Sequence, residues 1–247
     1  MMSDKFVAHR GWQQYYPENT LAAIEAAINS GAKHIEIDIQ LTRDLVPILC
    51  HDAPLERLSN SPLNINEISH LKLTALSSYE PERFGNTFIG TPFMALSECV
   101  TLIKQHRDLT FYVELKRQSI NIFGITAFLA AVLPILEPVK NQIILISFNS
   151  DILLDAKKQG WNKVAPVLSN WEQAFSSGIS QLSAPLLFCN KKHLTVQQTI
   201  DQLPAPCVFY EIGDYQEALD LLDQGAHMIE SFNVGDFLAI DRQQDQT

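Results

Sequence analysis

Short apolar, β-branched runs recur along the chain between segments whose apolar residues return at helical spacing. Nine of these runs read as strands: 6–9, 34–41, 46–51, 110–115, 143–147, 163–168, 185–189, 207–212 and 227–231. Only residues 42–45 separate the second run from the third, whereas a parallel crossover needs a dozen residues or more. The third run therefore folds back as an antiparallel hairpin arm. Eight runs remain, most of them separated by a helical segment: 20–30 behind Asn19 as cap and ahead of Gly31, 97–106, 150–159 before Gly160, and 215–224 before Gly225. The alternation predicts an α/β fold, a TIM (β/α)8 barrel with an extra β-hairpin after strand 2. An open doubly wound sheet is the alternative. Residues 53–95 carry Pro, Asn and Ser clusters where one βα unit should be compact, which predicts a short excursion over the barrel mouth or a small subdomain within one domain spanning 1–247.

Composition narrows the classes of partner. The 247 residues are 46% hydrophobic, enough for the core of one large domain and incompatible with disorder or a disulfide miniprotein. Lys and Arg number 18 against 28 Asp and Glu, a formal net charge of −10 that repels phosphate backbones and anionic lipid headgroups. Neither nucleic acid nor stable membrane association is expected, and a homodimer is left open. A protein this acidic that handles phosphate must gather positive charge locally, from a few Lys or Arg or from a metal. Cys50, Cys99, Cys189 and Cys207 form no Cys-x-x-Cys pair and read as buried, reduced thiols. The first residues carry an acid and a base and lead into an apolar strand, unlike a signal peptide. The apolar stretch 126–139 is broken by Pro134, Glu137 and Pro138 and is shorter than the about 20 residues that cross a bilayer. A cytoplasmic protein is the expectation.

The candidate chemistry lies on the strands. Along 34–41 the three isoleucines Ile35, Ile37 and Ile39 alternate with Glu36, Asp38 and Gln40, so that in a barrel the isoleucines face the helices and the acids point inward. Two unpaired carboxylates there are costly to desolvate and repel each other. A divalent cation resolves both problems. In 110–115 the same alternation sets Tyr112, Glu114 and Lys116 opposite Phe111, Val113 and Leu115, making Glu114 a third oxygen ligand. Three carboxylates without a nearby Cys suit Mg or Ca. The alternative is an internal ion pair from Glu36 or Glu114 to Arg10 or Lys116. His9, beside Arg10 and Gly11, ends the first strand, and His51, beside Asp52, ends the hairpin arm. Both lie on the side where barrel enzymes place their active sites, and a histidine pair is suited to giving and taking a proton near neutral pH. His34, His70, His106, His193 and His227 read as structural. Pro17-Glu18-Asn19-Thr20 begins a helix whose free N–H groups can also attract an anion. Trp12, Tyr15 and Tyr16 either line a pocket mouth or pack on the barrel rim.

These residues resemble a known family. His9-Arg10-Gly11, Pro17-Glu18-Asn19-Thr20, Glu36-Ile37-Asp38, Leu41-Thr42-Arg43-Asp44, His51-Asp52 with Leu55-Glu56-Arg57, and Val113-Glu114-Leu115-Lys116 are similar, in order and spacing, to the glycerophosphodiester phosphodiesterases. The second half matches more loosely, through Ser147-Phe148 and Gly225-Ala226. The resemblance implies a TIM barrel with a hairpin after its second strand. It also implies one Mg or Ca ion held by Glu36, Asp38 and Glu114, His9 and His51 as acid and base, and Arg10 and Lys116 on the phosphate. The implied substrate is a small glycerophosphodiester, cleaved to sn-glycerol 3-phosphate and an alcohol. A related barrel phospholipase acting on lysophospholipids or phosphoinositides, or a catalytically silent phosphodiester-binding barrel, are the rival readings.

The chain departs from the family pattern at three places. Leu45 follows Asp44 where the hairpin usually has Gly. Tyr210-Glu211-Ile212-Gly213 stands for a Trp-Thr-Val-Asn type strand, and Glu230-Ser231 for Thr-Asp. Glu211 or Glu230, if inside the pocket, favours a cationic headgroup such as choline or ethanolamine; either can instead point outward.

Overall fold

The computed structural model, which describes residues 2–244, contains the strands β1 (Phe6–Ala8), β2 (His34–Leu41), β3 (Pro47–Leu49), β4 (Thr110–Leu115), β5 (Ile143–Ser147), β6 (Val164–Leu168), β7 (Leu187–Asn190), β8 (Cys207–Tyr210) and β9 (Met228–Ser231). All nine expected runs are strands. Eight pair in parallel, and β1 joins both β2 and β9, so the sheet closes into a TIM barrel. Closure excludes the open doubly wound alternative. β3 runs antiparallel to β2, with Leu41 opposite Pro47 and Ile39 opposite Leu49. The hairpin turn is made without glycine: Leu45 sits at φ +61°, in the left-handed region that costs an L side chain about 1–2 kcal/mol.

The two faces of β2 do different work. Ile35, Ile37 and Ile39 are wholly buried in the layer between barrel and helices, together with Phe111, Val113 and Leu115 of β4. The barrel interior is filled by a second apolar cluster that includes Val7, Tyr112, Ile146, Val167 and Phe188. Above it the inward-facing Glu36, Asp38 and Gln40 are buried.

Helices Leu21–Asn29, Leu96–Gln105, Ser150–Lys158 and Tyr215–Asp223 lie where the helical periodicity placed them. The cap of the first differs from expectation. Thr20, not Asn19, is the N-cap, its hydroxyl accepting from the Ala23 N–H at 3.3 Å, because the Asn19 side chain is engaged inside the barrel at φ +55°. The apolar stretch 126–139 falls largely in helix Ile125–Leu136, which buries Phe128, Leu129 and Val132. Between β7 and β8 the chain makes only the short 3₁₀ turns Lys191–His193 and Ile200–Gln202. Among the described residues no single helix is long and apolar enough to cross a membrane. All four cysteines are buried and free.

Residues 53–95 form the one-turn helices Glu56–Ser59, His70–Leu73 and Pro81–Phe84, packed around a cluster that includes Leu55, Leu58, Ile65, Leu73 and Phe93. The segment is tied to the loop after β1. Glu80 accepts from the Glu18 N–H at 2.6 Å, and Arg83 donates to the Gln13 carbonyl.

Candidate active site

The strand ends bring the candidate residues together. His9 follows β1, its N–H held by the Ser231 carbonyl at 3.0 Å. The chain then turns through Arg10 (φ +56°) and Gly11 (φ +83°). A Cβ at Gly11 would lie 2.6 Å from the Ala23 carbonyl carbon, so only glycine lets the turn approach the first helix. This turn sends the Arg10 guanidinium back over the barrel. Its Nε is 3.0 Å from Asp38 Oδ2 and its Nη1 3.1 Å from Glu18 Oε1, while its backbone N–H donates to Glu36 Oε2 at 3.2 Å.

The parallel register of β2 and β4 sets Asp38 beside Glu114. Lys116 bridges them, with Nζ 3.2 Å from Asp38 Oδ1 and 3.0 Å from Glu114 Oε1. The Asn19 amide both donates to Asp38 Oδ2 and accepts from the Asp38 N–H. Burial pushes the Asp38 carboxyl up, but Lys116 and Arg10 outweigh it and hold it well below the usual range. Glu36, 2% exposed, goes the other way. Burial, and then the neighbouring Asp38 and Glu230 carboxylates, push it well up. Its Oε1 is buried without a hydrogen bond. Glu114 is also raised, first by burial. Of the ion pairs weighed as the alternative, that of Glu114 with Lys116 exists, whereas the Arg10 guanidinium pairs with Asp38 and leaves Glu36 only the Arg10 N–H.

The second histidine is held by a chain of contacts. His51 Nδ1 lies 2.6 Å from Asp52 Oδ1, Asp52 Oδ2 accepts from Arg57 Nε at 2.6 Å, and Arg57 grips both Glu18 oxygens at 2.8 and 2.9 Å. Glu18 also binds Arg10, so one buried carboxylate links the surroundings of both histidines. Burial raises the Glu18 carboxyl, but Arg10 and Arg57 bring it below its ordinary value. Gln40 donates to the His51 carbonyl at 3.0 Å. Sequence reasoning missed these supporting roles for Asn19, Arg57 and Gln40. The polar positions at strand and helix starts were the available signal.

His9, Arg10, Glu36, His51 and Glu114 line one cavity of about 170 Å³ together with Phe148, Tyr210, Glu211 and Glu230. Asp38 and Lys116 are buried behind the lining. Glu211 and Glu230 therefore both face the pocket. Trp12, Tyr15 and Tyr16 do not: Trp12 packs on Tyr15 and against Gly235, and Tyr16 on Phe88, which places all three on the rim. Burial, then Arg10, lowers the His9 pKa well below its ordinary value, favouring the neutral imidazole near pH 7.

Two sets of donor atoms lie within 4.8 Å of one another: Glu36, Asp38 and Glu114, and His9, Glu36 and Glu230. The first is an all-oxygen set that includes Glu36, whose Oε1 is buried without a hydrogen bond. That chemistry fits a hard divalent cation.

The comparisons agree with this geometry. The chain is 31% identical over 157 residues to a glycerophosphodiester phosphodiesterase of Caldanaerobacter subterraneus subsp. tengcongensis, covering 64% of this chain and 63% of that protein. It is 27% identical over 162 residues to glycerophosphodiester phosphodiesterase 1 of Bos taurus, covering 66% of this chain and 48% of that protein. The chain thus spans less than two thirds of the length of these relatives. A phosphodiesterase of Oleispira antarctica, solved in complex with the product sn-glycerol-3-phosphate, superposes with a TM-score of 0.83 at 25% identity over 96% of both chains. The model of the glycerophosphoryl diester phosphodiesterase family matches residues 9–233, and the chain belongs to that family.

Proposed function

We propose that this chain hydrolyses glycerophosphodiesters to sn-glycerol 3-phosphate and an alcohol, using His9 and His51 as acid and base. The observation that carries this reading is the convergence of His9, His51 and Arg10 on one cavity bordered by Glu36 and Glu114. The Oleispira antarctica protein, which holds sn-glycerol-3-phosphate, supports the product assignment. Glu36, Asp38 and Glu114 would hold one divalent cation, Mg or Ca, which when bound polarises the phosphoryl oxygens and neutralises developing charge.

The remaining work falls to side chains of the barrel. Arg10 lines the cavity and binds the phosphate as a planar donor. Lys116 adds positive charge through its contacts with Asp38 and Glu114. The glycerol hydroxyl next to the ester attacks phosphorus, one histidine taking its proton while the other protonates the departing alkoxide. Water then opens the cyclic phosphate with the proton roles reversed. Asp52 fixes the His51 ring through Nδ1, leaving Nε2 for the proton in flight.

Release of glycerol 3-phosphate from glycerophosphocholine, glycerophosphoethanolamine and glycerophosphoglycerol, with Mg or Ca and then with EDTA, tests the reading. Cation-dependent release is expected. No release from any of the three esters at neutral pH overturns the assignment and favours lipid substrates or a silent binder.

A further inference from the structure

The cavity is electrically lopsided. Its Arg10 side is dense with compensated charge, whereas Glu230 on β9, the strand beside β1, and Glu211 after β8 form no ion pair with Lys or Arg among the described residues. Glu230 is 3% exposed. Its Oε1 lies 3.4 Å from His9 Nε2 and its Oε2 is buried without a hydrogen bond. A carboxylate left so in a barrel interior is costly unless a ligand supplies the missing charge.

Glu211 is placed by a separate device. Its backbone sits at φ +65°, which ends the β8 run and turns the side chain toward the cavity. Asn190 at the end of β7 then holds it. The Asn190 Oδ1 accepts from the Lys192 N–H at 3.0 Å, which orients the amide so that Nδ2 donates to Glu211 Oε2 at 2.6 Å. A strained backbone and a buried amide that both serve to aim one acid point to a ligand. The rings of Phe188 on β7 and Tyr210 on β8 also line the cavity, while that of Phe148 is covered by the Arg117 guanidinium, 4.6 Å from its centroid. Aromatic faces with carboxylates are the surroundings that bind an ammonium or quaternary ammonium group. Lys192 also borders the cavity and, like Glu211, is exposed at its rim, where solvent screens both charges; Glu230 lies buried beneath them.

We infer that Glu211 and Glu230 form a subsite for the ammonium group of the leaving alcohol, making a choline- or ethanolamine-type ester the favoured substrate. The inference rests on the phosphodiesterase reading and deepens it. Arg10 and the two acids line the same cavity, so one ester can offer its phosphate to the first and its ammonium to the second. Glu230 touches His9 and so can also position it. Glu211 makes no such contact and is the clean probe.

Two measurements decide the matter. The first is kcat/KM for glycerophosphocholine, glycerophosphoethanolamine and glycerophosphoglycerol in wild type, Glu211→Gln and Glu230→Gln. Wild type is expected to prefer the two cationic esters, and Glu211→Gln to shrink that preference about five- to tenfold, the loss of one charge-assisted contact to an ammonium. Equal rates on all three esters in wild type, or a parallel fall on all three in both variants, would overturn the subsite and leave Glu230 a positioning residue for His9. The second is calorimetric binding of choline itself, which needs no turnover. Weaker choline binding by Glu211→Gln than by wild type supports the subsite even if no ester is cleaved, in which case only the phosphodiesterase reading fails. Choline binding that is absent in wild type, or unchanged by the substitution, removes the subsite.

Discussion

The two walls of the cavity are built on opposite plans. On the β1–β4 wall the charges answer one another: Arg10 with Glu18 and Asp38, Lys116 with Asp38 and Glu114, Arg57 with Glu18 and Asp52. On the β7–β9 wall two acids meet only an amide and an imidazole. The first wall is preorganised before any ligand arrives, since Arg10, Glu18, Asp38, Arg57 and Lys116 are each held by two ionic partners. The second is completed by what binds. Chemistry that must recur unchanged in each turnover suits the first plan, and recognition of one alcohol among several suits the second.

Removing the histidines should break the first wall's function most deeply. His9→Ala and His51→Ala are each expected to lower kcat about a thousandfold, within the range for lost general acid–base catalysis. The thermal shift on adding Mg or Ca should persist in both. Loss of the shift together with activity would instead make these residues ligands.

Next in size is Glu36→Gln, which cancels the one acid of this wall left without full compensation. Divalent affinity, read from the rise of Tm with added ion, should weaken at least about tenfold, because a hard site depends on its ligand charge. The ion-free protein should become more stable, since a buried repelling charge is gone.

Arg57→Gln tests the bridge between Glu18 and Asp52 and should cost about 1–2 kcal/mol at pH 7 in urea unfolding, a discounted value for a partly exposed guanidinium. Arg10 with Arg57 on Glu18, and His51 with Arg57 on Asp52, outweigh burial and keep both carboxyls below their ordinary values. The Arg57 contribution is therefore present above the unfolded carboxylate range near pH 4 and fades as pH falls through the lower folded values. The difference between wild type and variant should shrink below about pH 4; a gap independent of pH would show that packing, not charge, was lost. The smallest effect lies far from both walls. Leu45→Gly should stabilise the hairpin by about 0.5 kcal/mol, the relief at φ +61° being partly offset by glycine's freedom in the unfolded chain.

The division between walls also governs what could be read in advance. The strict alternation of isoleucine and acid along β2 fixes which face is inward, and the four-residue gap after Leu41 demands the hairpin, so the barrel and the inward carboxylates were legible from spacing alone. Asn19 was not. A polar residue at a helix start satisfies capping rules in any fold, and only the register of β2 reveals that its amide reaches Asp38. Glu211 was named in the sequence but its direction stayed open, for a different reason. Residues 207–212 look like one uninterrupted strand, and nothing local announces that Glu211 leaves it at positive φ. Side-chain direction on the β7–β9 wall depends on a backbone excursion, whereas on β2 it follows from period two.

One consequence concerns the order in which the site comes into being. The His9 N–H is held by the Ser231 carbonyl, and β1 meets β2 through only the pairs Val7–His34 and Ala8–Ile35, against six pairs between β2 and β4. During synthesis the barrel's first strand must therefore wait for the ninth before it is locked on both edges. Half-made chains hold the carboxylates of β2 and β4 but no anchored His9, so a nascent barrel completes its candidate site only as its seam closes.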